Sequence, residues 1–170
     1  LIRALVLTVL GIIFNLSPGG ASKTLGYYSV LYRIGFSYFF AALIMMNTNI
    51  RGQVYWAFGL LIGYWMLMRF VPVPGYGIGN FTKEGNLAVY LANQVAGFIS
   101  PNYQRVINIT LIPTVSCALF GVLAGHWLMS DKKEKEKALG LLIAGISLIV
   151  AGLVIHLDFP IIKNAWSTSY

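Results

Sequence analysis

Five apolar segments, each close to the length that crosses a lipid bilayer, follow one another within 170 residues. An α-helix rises about 1.5 Å per residue, so about 20 apolar residues cross about 30 Å of hydrocarbon. A soluble domain of this size would not contain five such runs. We therefore predict an all-α fold, a polytopic transmembrane helix bundle of about five spans. The predicted spans are residues 1–16, 27–46, 54–71, 107–129 and 138–157.

The composition points to the same class of protein. Hydrophobic residues make up 58% of the chain and charged residues 10%, whereas soluble domains are about 25% charged. The net charge of +7 does not indicate a nucleic-acid partner, because the Lys and Arg residues stand mainly between the spans or at their ends, where they anchor helices at lipid headgroups. The single cysteine, Cys117, excludes an intrachain disulfide and a thiolate metal cluster, and we expect no metal site.

The loops give an incomplete indication of orientation. Residues 130–137 (SDKKEKEK) hold four lysines between two spans, which is typical of a cytoplasmic loop. Alternating spans then place residues 72–106 outside. Several cations also fall at or near the outer side, so charge alone leaves the orientation nearly undecided. We treat the whole chain, 1–170, as a single bundle and expect it to be a piece of a longer protein.

The outer loop has its own predicted structure. It begins with the string Val71-Pro-Val-Pro-Gly75, in which two prolines end the preceding helix. Residues Asn86–Phe98 then read as a short amphipathic helix, and Asn86 is a candidate cap. Its apolar face comprises Leu87, Tyr90, Leu91, Val95 and Phe98. We expect this helix to lie at the membrane surface and to cover the bundle.

Small residues recur at a spacing of four within the spans. The pairs are Gly59/Gly63, Gly121/Gly125 and Ser147/Ala151. On a helix such residues stack on one face and allow a neighbouring backbone to approach closely. We interpret them as packing positions within the bundle.

Arg33 is the most informative polar residue inside a predicted span. A charge at mid-bilayer costs about 2.5–3.5 kcal/mol on insertion scales, so it normally faces a cavity or a partner. The planar guanidinium fork suits a phosphate or a carboxylate. Anchoring at the membrane surface by the long side chain explains the residue equally well, and both interpretations remain open.

The histidines and carboxylates form no recognisable catalytic pattern. His126 and His156 end different spans, at opposite membrane faces, so they do not form one site. Asp158 and Lys163 flank the turn at Phe159–Pro160, which favours a structural clamp over a catalytic couple. The chain has no pair of carboxylates set up for glycosidic chemistry, no HExxH string and no phosphate-binding loop.

Four groups of motifs, taken in order, resemble one family. They are Leu31–Leu43 (LYRIGFSYFFAAL), then Gly63-Tyr-Trp65 with VPVPG at 71–75 and GNLAVY at 85–90, then FGVLAG at 120–125, and FPIIKNAWSTSY at 159–170. The resemblance is to the heparan-α-glucosaminide N-acetyltransferase-like transmembrane acyltransferases, and it covers nearly the whole chain.

This resemblance implies an enzyme that moves an acetyl group from acetyl-CoA across the bilayer to an amino sugar or glycan. It implies that the proline–glycine loop faces the lumen or periplasm, and a location in the bacterial inner membrane. The expected partners are membrane lipid, the amino-sugar or glycan substrate and a second copy of the chain.

The resemblance also assigns residues. Those that match the family's motif positions, and are expected to line or shape the pocket for substrate and acetyl-CoA, are Arg33, Lys163, Trp166 and Ser167. Two departures matter. The catalytic histidine expected from the family belongs to an early segment that this chain lacks, and neither His126 nor His156 matches it. The family's acidic stretch before the fourth span is replaced by Ser100–Thr110.

Two other functions remain open. An amino-sugar permease would carry internal repeats and broken helices; the chain shows no convincing repeat, but Pro113 is placed to break the fourth span. A non-catalytic membrane subunit is the other alternative. Of the three hypotheses, only the acyltransferase consumes acetyl-CoA, and only the permease takes up amino sugar without it.

Overall fold

The structure, a computed structural model, describes residues 2–16, 30–82, 85–99 and 109–160. This part of the chain is helical, and its only β-type pairing is an isolated bridge between Val73 and Gly77. The helices are α1 (Ile2–Leu16), α2 (Val30–Asn47), α3 (Ile50–Phe70), α4 (Leu87–Ile99), α5 (Leu111–Leu128) and α6 (Glu134–His156). The helical class predicted from the sequence is confirmed.

Helices lie over all five predicted apolar segments, with shifted ends. α3 begins at Ile50, four residues earlier than predicted, because the Asn49 side chain caps it by accepting a hydrogen bond of 2.8 Å from the Gly52 amide. Two helices of the described residues, α5 and α6, with 18 and 23 residues, are long and apolar enough to cross a membrane. The predicted number of spans was five.

Helices α2, α3 and α5 form the central core. Its buried residues are Ala41, Ala57, Val115 and Leu119. A turn at Thr48–Asn49 joins α2 to α3 and makes them antiparallel. The core therefore has two ends. We call the end that carries residues 71–82, 85–86 and 157–160 the loop end, and the end that carries residues 48–49 and 129–133 the lysine end.

We predicted that the small-residue pairs are packing positions within the bundle, and for the two glycine pairs this prediction is wrong. A Cβ atom built at Gly59, Gly63, Gly121 or Gly125 would meet nothing within 4 Å among the described residues. The close approach of α2, α3 and α5 is made instead by buried alanines on other faces of these helices. The spacing of small residues indicates which helix face lacks large side chains, but it does not indicate whether another helix packs against that face.

Helix α6 contacts the core mainly through its ends. At the lysine end the Trp127 ring lies over Gly140, where an added Cβ would come within 2.5 Å of it, and Trp127 Nε1 donates a hydrogen bond of 3.1 Å to the Lys137 carbonyl. No residue of α6 is buried. Its apolar side chains are therefore open to the surroundings along the whole helix, as lipid contact requires.

The loop and α4 cover the loop end. Val73 and Gly77 exchange two backbone hydrogen bonds of 2.9 Å, and Gly75 and Gly77 take the positive φ angles, 85° and 82°, that this tight turn requires. The Asn86 side chain caps α4 by accepting a 2.9 Å hydrogen bond from the Val89 amide. Leu87 is buried, and Tyr90 and Leu91 pack against the same cluster, so the first part of α4 contacts the bundle with its predicted apolar face. The side chains of Val95 and Phe98 lie outside those that the structure describes.

Candidate functional site at the loop end

A cluster of buried residues from distant parts of the chain closes the loop end. We call it the loop-end cluster, and it consists of Tyr64, Met68, Val73, Leu87, Ala88 and Phe159. Phe159 is fully buried, with its ring centroid 4.7 Å from that of Phe81 and 6.4 Å from that of Tyr64. The turn after α6 is therefore inserted between α3 and the loop.

Arg33 lies beside this cluster. It occupies the first turns of α2, is partly buried, and its charge acts on the hydroxyl of Tyr64, a residue of α3 that is fully buried. The roles of Arg33 in a pocket and in anchoring at the membrane surface both stay predictions.

Hydroxyl groups form a polar layer next to Arg33. The Ser37 hydroxyl lies 2.7 Å from the Arg33 carbonyl oxygen and 2.8 Å from the Thr114 hydroxyl, and the Thr114 hydroxyl lies 2.7 Å from the Leu111 carbonyl oxygen. Deeper in the core, Ser116 donates a bond of 2.6 Å to the Ala57 carbonyl. These hydroxyls have backbone carbonyls or one another as partners, so they are satisfied inside the apolar core.

A clamp of three side chains fastens α6 to α3 at the loop end. Arg69 Nε lies 3.4 Å from Asp158 Oδ1, and Trp65 Nε1 donates a hydrogen bond of 3.2 Å to Asp158 Oδ2. Sequence reasoning paired Asp158 with Lys163 and missed these partners. The available signal was the four-residue spacing of Trp65 and Arg69, which puts both on one face of α3.

We expect the Arg69–Asp158 pair to show charge complementarity in a double-mutant cycle. Arg69→Asp and Asp158→Arg each place like charges together, whereas the double variant restores an opposite pair. Because both side chains are partly exposed, 40% and 48%, we expect a coupling of about 0.5–1 kcal/mol. Thermal unfolding in detergent measures it. If the loss of stability in the double variant equals the sum of the losses in the two single variants, the side chains are not coupled. That result would contradict the clamp.

Three of the predicted site residues lie outside the described residues: Lys163, Trp166 and Ser167. His126 and His156 fall in the last turns of α5 and α6, at opposite ends of the core, as predicted. Among the residues that the structure describes, no group of three or more His, Cys, Asp or Glu side chains is placed to hold a metal ion.

Comparison of the chain with protein-family models, curated proteins and solved structures finds no match.

Proposed function

We propose that the chain is an integral-membrane acyltransferase, or part of one, that moves an acetyl group from acetyl-CoA to an amino sugar or glycan. The observation that carries this proposal is the convergence of the family-like motifs. Tyr64 comes from the GYW string, Val73 from VPVPG, Leu87 from GNLAVY and Phe159 from the last motif, and all are members of the loop-end cluster. Two of the four groups of motifs, the second and the last, thus contribute residues to one cluster.

The proposal includes a bundle of five spans in the bacterial inner membrane, with the loop end facing the periplasm. Large apolar side chains are exposed on every one of the five long helices, for example Leu5 at 65%, Ile62 at 49% and Ile149 at 65%. Such extensive apolar exposure is costly in water and favourable in lipid. α6 supports this placement most strongly, because it has no buried residue.

The reaction would place specific demands on the site. The acceptor amine loses a proton to a base, its nitrogen forms a bond to the thioester carbonyl, and the carbon–sulfur bond breaks to release CoA. Arg33 is proposed to bind an anionic group of CoA or of the glycan through its guanidinium fork. Lys163, Trp166 and Ser167 are proposed to complete the pocket. We assign no base within the chain.

Pro113 does not support the permease alternative. It is the third residue of α5, in the first turn, where its missing N–H would have no partner within the helix. The expectation that Pro113 breaks the fourth span is wrong for this reason, and α5 runs unbroken to Leu128. A permease built on broken helices would need the break elsewhere.

The test is an assay of the full-length protein in proteoliposomes with labelled acetyl-CoA on one side and glucosamine on the other. We expect labelled N-acetylglucosamine to form only when both substrates are present. Uptake of labelled amino sugar without acetyl-CoA would contradict the proposal in favour of a permease. If neither product nor uptake appears in correctly folded protein, the result would favour a non-catalytic subunit.

A further inference from the structure

Helix α6 is attached to the rest of the bundle near its two ends. At the lysine end, a Cβ atom added at Gly140 would come within 2.5 Å of the Trp127 ring of α5. At the loop end, Ile155 packs against the loop-end cluster, and Asp158 accepts a hydrogen bond of 3.2 Å from Trp65 of α3. Gly140 and Ile155 are 15 positions apart, so the two attachments are separated by about 22 Å along the helix.

The middle of α6 stands away from the core. Residues 146–151 are six consecutive exposed residues, which make more than one full turn and therefore cover every side of the helix. A Cβ atom added at Gly145 would meet nothing within 4 Å among the described residues. The hydroxyl of Ser147 donates a hydrogen bond of 2.8 Å to the Ile143 carbonyl of the same helix. This stretch is therefore apolar and packs against no other part of the chain that the structure describes.

The side of α3 that leads to the loop-end attachment is also open. Phe58 and Ile62 precede Trp65 by seven and three positions and therefore lie on the same side of α3. Their exposed fractions are 44% and 49%. We call the space between this side of α3 and residues 146–151 of α6 the α6 crevice.

The two ends of the α6 crevice differ in charge. At the lysine end, the Nζ of Lys132 lies 4.4 Å from the centroid of the Trp127 ring, the ring against which α6 lies. Lys132 is exposed, and residues 130–137 hold four lysines against three carboxylates. At the loop end, the carboxylate of Asp158 is already paired with Arg69. An anionic group is therefore attracted to the lysine end of the crevice and not to the loop end.

We propose that the α6 crevice binds one acyl chain of an anionic phospholipid, with the lipid phosphate beside Lys132. An acyl chain makes no hydrogen bonds and therefore suits the apolar surfaces of α3 and α6. One leaflet contributes roughly 15 Å of hydrocarbon, half of about 30 Å, so a chain that enters at the lysine end fits within the about 22 Å between the attachments. Trp127 and Lys132 together form the amphipathic boundary that a lipid headgroup region favours.

The inference rests on the proposed placement of the bundle in the bilayer, and not on acetyl transfer. In that placement the lysine end faces the cytoplasm, where the membrane leaflet carries anionic lipids. The other candidate occupants are an uncharged lipid and a second copy of the chain, and the test separates all three.

The test is native mass spectrometry of the full-length protein in detergent, mixed in turn with phosphatidylglycerol and with phosphatidylcholine that carry the same acyl chains. We expect each chain to retain one phosphatidylglycerol. Phosphatidylcholine should bind about fivefold more weakly, the factor expected when one lysine attracts an anionic headgroup. Equal binding of the two lipids would overturn the role of Lys132. A lipid-free dimer would overturn the lipid site and identify a second copy as the occupant.

Two variants test the two parts of the site. Lys132→Gln removes the cation, and Ala151→Phe places a ring on the side of α6 that carries Gly140. Each should weaken phosphatidylglycerol binding about fivefold or more. The matched controls are Lys135→Gln, in the same charged segment, and Ile149→Phe, on the side of α6 opposite Gly140. Both should stay within about twofold of the parent, because these positions lie on other sides of the helix.

Lys132 is exposed, so Lys132→Gln tests the site without disturbing a packed side chain. Phosphatidylglycerol binding that is unchanged in both Lys132→Gln and Ala151→Phe would overturn the α6 crevice as a lipid site. If the parent protein binds phosphatidylglycerol as expected but transfers no acetyl group, the acyltransferase proposal fails and this inference stands. If the parent transfers acetyl groups but retains neither lipid, only this inference fails.

Discussion

Phe159→Ala is expected to lower the free energy of unfolding by about 3–5 kcal/mol, the usual cost of removing a buried aromatic ring. Phe159 is fully buried, and its ring packs against Phe81 and Tyr64. Alanine would leave a cavity where the turn after α6 is inserted into the loop-end cluster. Chemical or thermal unfolding in detergent, followed by circular dichroism, measures the loss.

The chain offers a matched control for this variant two residues away. Leu157 is 87% exposed, so Leu157→Ala removes apolar atoms from the same turn without opening a cavity. We expect a change within about 0.5 kcal/mol for it. Equal stability losses in the Phe159 and Leu157 variants would show that Phe159 is not inserted into the cluster.

Arg33→Ala is expected to lower kcat/KM for acetyl transfer about 100-fold. This is the usual size of the effect when a charged side chain that binds an anionic group of the substrate is removed. Arg33→Lys should fall between the parent and Arg33→Ala, because lysine keeps the charge but not the planar fork. The measurement is the initial rate of N-acetylglucosamine formation in proteoliposomes at several concentrations of each substrate.

Arg51→Ala is the control for Arg33. Arg51 is an exposed arginine at the lysine end, and its replacement should change the rate less than about twofold. Normal turnover of Arg33→Ala would remove the proposed role of Arg33. A rate that falls equally in both variants would indicate a general effect of charge.

Much of the helical architecture could be predicted from the sequence because hydropathy and capping are local. Apolar runs mark the long helices, and Asn86 stands immediately before the residues that form α4. The contacts between helices could not be predicted in the same way. Trp65 and Asp158 are 93 positions apart, and nothing local indicates that the ends of α3 and α6 meet.

The candidate site was predictable only in part for a related reason. Arg33 is conspicuous because a charge inside an apolar run is costly, whereas Tyr64 is an ordinary residue of an apolar helix.

The most direct test of the account is the sidedness of the two ends of the core in sealed bacterial cells. In a Cys117→Ala background, single cysteines are introduced by Asn49→Cys and Asp131→Cys at the lysine end and by Tyr76→Cys and Leu157→Cys at the loop end. A membrane-impermeant maleimide should label the loop-end cysteines in intact cells and the lysine-end cysteines only after lysis. Labelling of both ends from outside, or release of the protein from membranes by alkaline carbonate, would contradict a bundle that spans the bilayer.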